Sequence, residues 1–563
     1  MKIVTSDILV IGGGLAGGWA AIKAKELGAE VVVVDKGQVG RSGSSVFAAG
    51  SISVCYPEDD HEVWFQEIIE RGEYLNDQEW VKIQLNETYP HVMELDTLGK
   101  RYGIKVLERG ENGEPVRTRT RGHIKTHTTT IHALPMMDTV ALRLKELEIP
   151  VYHRVMAFDL LTDSEGGVCG SVGFAYRENL FYVFLSKAVI MAASGCGFKA
   201  FFLGHKNLTG EGQAMAYEKG VILRNFDQAT SNTTARLLDI HGLGRMVGLG
   251  GRFLNKDGQE FMWEHEPAVG NRARLPKLTV AMAKEARAGK SPLYLDLRPV
   301  KTAGQEMLRD LLPQTFKAFS SLEIDPFAEV MEWIPAFEGS LMHGGGIDID
   351  TGCATNLPGL YAVGDSTCTP EHGTYSIGGL NLAFCLVSGD RAASHAGRYM
   401  GEISLCHEKT MIEMAESIIQ QAMAPLDRIH GIPSDVLTRK IQKIILPYDV
   451  CYLRNQERLK TAIERMVRLR QEEIGKVSAN DSHSLVKALE VPAMALVAEM
   501  ILRSALYRQE SRGFNYREDF PLTDNIDWLK WIMVKNVDGE MHVWGEKVPT
   551  PYLTPPHEKY EPR

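Results

Sequence analysis

Four residues near the start of the chain have types and spacing suited to holding a phosphate-linked nucleotide: Gly12, Gly14, Gly17 and Asp35. The glycines fit G-x-G-x-x-G. Gly12 makes the tight turn, Gly14 offers bare backbone to a pyrophosphate, and Gly17 lets a helix pack against strands. The free amides at that helix start favour an anion. Asp35 is placed to accept hydrogen bonds from a ribose, with Lys36 beside it. The pattern points to a dinucleotide without saying which one.

Further candidates follow along the chain. The small residues Ser42, Gly43, Ser44, Ser45, Ala48, Ala49 and Gly50 would let a loop lie flat against a bulky planar group. The run KAVIMAASG ends in Ser194 and Gly195 and suits a strand returning to the nucleotide; Ala157, in an earlier strand, joins the same set. Glu211, near a helix start, either binds hydroxyl groups or caps the helix. Asp365, at the end of a short apolar strand, can reach the ribityl or phosphate end of a flavin. Arg117, Arg119, Arg121, His123, Lys125 and His127 form a basic stretch that either holds an anion or is solvated.

The elements needed to position these groups can be read from the pattern. Ile8–Ile11 and Val31–Val34 read as buried parallel strands around a helix from Trp19 to Leu27. Residues 60–105 read as helical and His132–Leu147 as a helix, followed by strands to Gly195. Residues 236–335 change character. GGRFLNKDGQEFM reads as two strands about a turn, LPKLTVAMAKEARAG as a helix and PLYLDLRP as a strand. The chain then returns at Thr355–Cys368 and enters a helix at Leu380. It is helical and polar from about 401 to a Pro-rich tail. The two nucleotide-contacting segments lie more than 300 residues apart. That separation suits an extended FAD better than NAD.

Composition narrows the class. At 563 residues several domains are expected, and 44% hydrophobic with 24% charged residues is ordinary for a soluble protein. A net charge of −10 argues against a general nucleic-acid binder. The sequence shows no signal-peptide pattern and no transmembrane run. Its eight cysteines have no iron–sulfur or zinc spacing, so no metal site is expected and a reducing, cytoplasmic setting fits.

Taken together, IGGGLAGGWAA, the Ser42–Gly50 loop, KAVIMAASG, TGEGQAMAYEKG, FLNKDGQEFM, PLYLDLR, NLPGLYAVGDS, HGTYSIGGLNL and ESRGFNYREDFP resemble a known family. It comprises the flavoprotein subunits of succinate dehydrogenase, fumarate reductase and adenylylsulfate reductase. The resemblance implies an α/β fold: a Rossmann-like FAD-binding domain (1–235 and 336–400), an inserted α+β capping domain (236–335) and a C-terminal helical domain and tail (401–563). It implies an FAD-dependent oxidoreductase that passes electrons between a small anionic substrate and an iron–sulfur partner subunit. Any membrane link would run through partners. The alternative is a flavin relay subunit without a small substrate of its own.

The same resemblance assigns residues. The covalent flavin histidine of the family falls on Ser44, so FAD is expected to be non-covalent. Gly364, Asp365, Asn381 and Leu382 complete the flavin contacts. The dicarboxylate-binding H-P-T falls on Thr230, Ser231 and Asn232. A binding arginine falls on Ser376, the proton-donating arginine near Leu275 beside Arg274, and a histidine on Leu341, two residues from His343. TARLLDIHG resembles the adenylylsulfate reductase branch and makes Arg236 a cation over the flavin face. His372 would contact substrate or flavin, and Arg512 would reach toward the pocket. Cys55, where that branch has an asparagine, would be a redox partner or nucleophile if its pKa were lowered.

Overall fold

The computed structural model describes residues 1–563 apart from 121, 201–203, 237, 239, 241, 342, 343, 376 and 563. Its central sheet has seven strands. Lys2–Ile11 lies between Val31–Asp35 and Leu180–Met191, parallel to both. Val151–His153 extends one side in parallel, while Val168–Ala175 and Val155–Thr162 extend the other antiparallel. Ile8–Ile11 and Val31–Val34 are buried on both faces, as unbroken aliphatic runs in a covered parallel sheet must be.

The strand Leu360–Ala362 arrives from far along the chain and pairs in parallel with Leu180–Met191, Tyr361 opposite Ile190. It leads into the turn Gly364–Ser366 and then the helix Leu380–Met400, which packs on the first helix, Leu15–Glu26. That packing is close because Gly389 faces the first helix, where a Cβ would stand 2.9 Å from the Ala16 carbonyl.

A separate apolar core is built from residues between Ala235 and Trp333, joined by Phe514. It sits on a four-stranded sheet in which Thr230–Ala235 pairs with Met331–Gly339, and Arg252–Leu254 pairs with Tyr294–Asp296. We call this layer the cap. The expected hairpin about Asn255–Gly258 is only a turn. Arg252–Leu254 finds its partner at Tyr294–Asp296, since Asn255 folds its side chain onto the amides of Asp257 and Gln259.

The C-terminal part is largely helical, with Ser482–Tyr507 buried along most of its length. It is not helical throughout. Lys530–Val537 and Glu540–Lys547 form a hairpin that joins Leu223–Arg224 and Gly346–Ile347 in a second sheet. Asp538 and Gly539 turn it with φ of 52° and 87°, the two left-handed residues a tight hairpin turn requires.

Candidate functional site

Two adjoining cavities run from the end of the first strand to the underside of the cap. The first is lined by the glycine turn, Asp35, Lys36, Ser42–Ser45, Ala157, Ser194, Glu211 and Asp365. The local geometry explains the glycines. A Cβ on Gly12 would stand 2.1 Å from the Ala192 carbonyl, and one on Gly17 2.0 Å from the Gly12 carbonyl. Gly14 differs: its Cβ would meet only Ser45 Oγ at 3.3 Å, on the cavity side. Ser45 Oγ also accepts from the Leu15 amide at 3.2 Å, fixing the small-residue loop over the helix start.

Asp35 accepts from the Gly13 and Gly37 amides, each at 2.7 Å. Its carboxylate is therefore locked at the strand end, facing the cavity. Lys36 donates to Thr209, Glu211 and Glu490 at 2.7, 2.8 and 3.0 Å. Burial alone would lower the lysine pKa, but the two carboxylates outweigh it and the ammonium stays charged. These residues fit FAD: bare backbone for a pyrophosphate, a fixed acid for a ribose, and small residues leading to a second chamber.

That second chamber, of about 180 Å³, lies between the small-residue loop, the cap and the start of the helix Leu380–Met400. Ser44, Asp365, Asn381 and Leu382 line it, as do Asn232, Leu243, Arg245 and Leu275 from the cap side. Desolvation at the chamber wall raises the Asp365 carboxyl pKa, offset in part by Asn381, whose Nδ2 donates at 2.9 Å. Behind Asn232, burial pushes the Glu338 carboxyl up to about 8, with nearby Asp365 adding to it. Glu338 occupies the irregular step where Thr230 and Ser231 shift register against Phe337 and Gly339.

Arg245 was not singled out by the sequence. It is 8% exposed. Its Nη2 donates to the Gly50 carbonyl at 3.0 Å and Thr130 Oγ1 at 3.2 Å, and Nη1 to Thr118 Oγ1 at 2.7 Å. All three acceptors are neutral, and its Nε has no partner. Burial alone pulls its pKa down, to about 10, leaving it cationic at neutral pH. A buried guanidinium without a carboxylate is costly and rare. A cation facing a cavity from a glycine-rich run was the available signal.

The other expected residues fall into distinct places. Gly364 does not line the cavities but allows close packing, a Cβ there standing 2.8 Å from Ala16 Cβ. Gly195 abuts the Ser340 carbonyl, and Gly50 serves through its carbonyl to Arg245. His372 lies one layer behind, its Nε2 2.5 Å from Asn381 Oδ1, with burial lowering its pKa to about 4. It is a neutral positioning group for Asn381. His343 lies outside the described residues, as do Arg121 and Ser376.

Four expectations are corrected. Arg236 is half exposed and ion-paired with Glu332 on the outer side of the cap, so it is no cation over the flavin. Arg274 is buried, bonds the Arg71 carbonyl and Glu73, and is not among the described residues that line the chamber. Arg512 is neutralised by Glu510, with Nη2 also donating to Asn525 at 2.9 Å, so it knits the C-terminal region instead. Cys55 packs in an apolar cluster with Trp64 and Ile68. Burial, with Asp59, Asp60 and Glu58 nearby, pushes its thiol up to about 12, the reverse of an activated nucleophile. Two members of the basic stretch have structural partners: Arg117 pairs with Glu58 and Asp59, and His123 bonds the Gly378 carbonyl at 2.9 Å.

Comparison with known proteins places this geometry. Residues 7–382 match the FAD binding domain family, and residues 439–560 match the fumarate reductase flavoprotein C-terminal family. A CoM/CoB fumarate reductase chain of Methanothermobacter marburgensis is 28% identical, over 95% of this chain and 97% of that protein. Among solved structures, an E. coli quinol fumarate reductase shares the fold with TM-score 0.88 and 24% identity, covering 99% of each chain. Adenylylsulfate reductase from Archaeoglobus fulgidus does so with TM-score 0.80 and 21% identity, covering 98% of this chain and 97% of that one. Among the described residues no helix is long and apolar enough to cross a membrane. The chain belongs to the FAD-binding-domain family and, with its fumarate reductase-type C-terminal domain, is an FAD-dependent oxidoreductase flavoprotein.

Proposed function

We propose that the chain is the flavoprotein subunit of a multi-subunit redox complex, moving electrons between a small anion beneath the cap and an iron–sulfur partner. The observation that carries the reading is Arg245, a buried cation facing the second chamber with only neutral partners. Bound FAD would supply the ability to take an electron pair in one step and pass electrons on singly. With Ser at position 44, that FAD is held non-covalently.

The chain's own groups divide the work. The glycine turn, Asp35 and the Lys36–Glu211 pair hold the nucleotide end. The loop Ser42–Ser45 with Asp365 and Asn381 orients the ring end. Arg245 fixes the anion, and Leu243 and Leu275 help exclude water above it. The eight free thiols support a reducing, cytoplasmic setting. Any association with a membrane would pass through partner subunits.

Anaerobic reduction of the purified holoprotein, followed by addition of fumarate, adenylylsulfate or a panel of enoic acids, tests this reading. Rapid flavin reoxidation by one of these acids is expected. Reoxidation by an iron–sulfur protein alone would make the chain an electron relay without a small substrate.

A further inference from the structure

Charge is distributed unevenly around the second chamber. On the cap side the guanidinium of Arg245 is held by Gly50, Thr118 and Thr130. Among the described lining residues it is the one cationic side chain. His372, one layer behind, is kept neutral by its burial. Much of the remaining lining is apolar, with Leu243, Leu275, Ile377 and Leu382, together with Tyr375. Of the two acids at this end, Glu338 behind Asn232 is buried and Asp365 on the wall is half-buried.

A ligand with one anionic group satisfies this arrangement. Its charge would compensate Arg245, whose desolvation no carboxylate bonded to it among the described residues offsets. Its remainder would cover aliphatic surface, at about 25 cal/mol per Å² removed from water. A second carboxylate would have no described cation to meet. It would approach Asp365 on the wall, adding negative charge in a low-dielectric space where like charges interact strongly.

We infer that the chamber takes a small monocarboxylate with a short apolar remainder, its carboxylate on Arg245, in preference to a dicarboxylate. This rests on the reading of the chamber as a small-anion site.

The test is equilibrium binding to the FAD-loaded protein, read as the perturbation of flavin absorbance by crotonate, butyrate, fumarate and succinate. Crotonate and butyrate are expected to bind at least about tenfold more tightly than fumarate and succinate, the discrimination a single unmatched charge readily supplies. Arg245→Met should weaken crotonate binding by more than about tenfold, and Arg245→Lys by less, with FAD content and melting temperature confirming that each variant is folded. Fumarate binding as tightly as crotonate would overturn the monoanion inference while leaving a small-anion site intact. So would crotonate binding unchanged in a folded Arg245→Met protein. If no acid perturbs the flavin, yet an iron–sulfur protein reoxidises it, the small-anion reading falls and the inference with it.

Discussion

Nε2 of His372 lies 2.5 Å from Oδ1 of Asn381, whose Nδ2 in turn donates to Asp365 at 2.9 Å. The bond requires His372 to carry its proton on Nε2, and it fixes which end of the Asn381 amide faces Asp365. Asn381→Leu would remove the side-chain donor to Asp365 and the Nε2 contact of His372. The expected loss is about 1–3 kcal/mol of stability, with weaker FAD binding. Denaturant unfolding and FAD titration measure both. Unchanged FAD affinity would show that Asp365 needs no orienting.

Two buried histidines should make the protein acid-labile. Burial lowers both His372 and His123 to about 4. Their contribution to stability is complete above the ordinary histidine pKa of about 6.5 and is lost as pH falls from there towards 4. His123→Gln should flatten part of that decline. A melting-temperature profile from pH 7 to about pH 4 that matches the unaltered protein would count against a neutral His123.

Glu338 acts at the other end of the scale. Its folded pKa, raised to about 8, means the unfolded chain ionises first as pH rises. The stability held by its neutral form is complete below about 4.5 and declines between about 4.5 and 8. Glu338→Gln should therefore raise the melting temperature at pH 8 relative to pH 5. An ionised Glu338 in the folded protein would remove that difference.

The glycine turn separates folding from cofactor binding. Gly12→Ala combines a φ of 110° with a Cβ 2.1 Å from a carbonyl oxygen, so soluble folded protein should fall sharply. Gly14→Val meets little except Ser45 Oγ, so the fold should persist while FAD affinity drops by roughly tenfold or more. Circular dichroism and flavin content distinguish the outcomes. Full FAD loading in Gly14→Val would mean that the pyrophosphate does not approach there.

Cys55→Ala should leave the flavin spectrum and its reduction unchanged and cost about 1 kcal/mol from the lost packing. In the native protein, thiol reagents at neutral pH should spare Cys55, because burial keeps it protonated. Rapid labelling of Cys55 in the folded holoprotein would contradict its place in the cluster around Trp64.

What the sequence made legible was local. The turn from Gly12 to Asp35 carries its meaning in consecutive spacing, so strand, glycines and acid could be read together. The chamber beneath the cap is assembled from segments hundreds of residues apart, and the choice among arginines failed there. Arg236 and Arg245 are nine positions apart. One pairs with Glu332 outside, whereas the other turns inward onto Gly50. The C-terminal hairpin did carry a signal. Asp538-Gly539 between Val537 and Glu540 is a strong two-residue turn, masked by the helical character of the preceding hundred residues.

The strand Leu360–Ala362 has a consequence for biosynthesis. It zips onto Leu180–Met191 only after some 170 further residues have been made, and the helix beginning at Leu380 must follow before the cleft is closed. A ribosome-bound chain that has just finished the glycine turn thus owns half a cofactor site. Its apolar sheet edge must wait for the rest, at about 5–20 residues per second. The cleft has all of its lining only once the helix that starts at Leu380 has been made, so FAD can meet its full set of contacts only then. Translational stalling between residues 200 and 360 would expose that edge and favour aggregation over assembly.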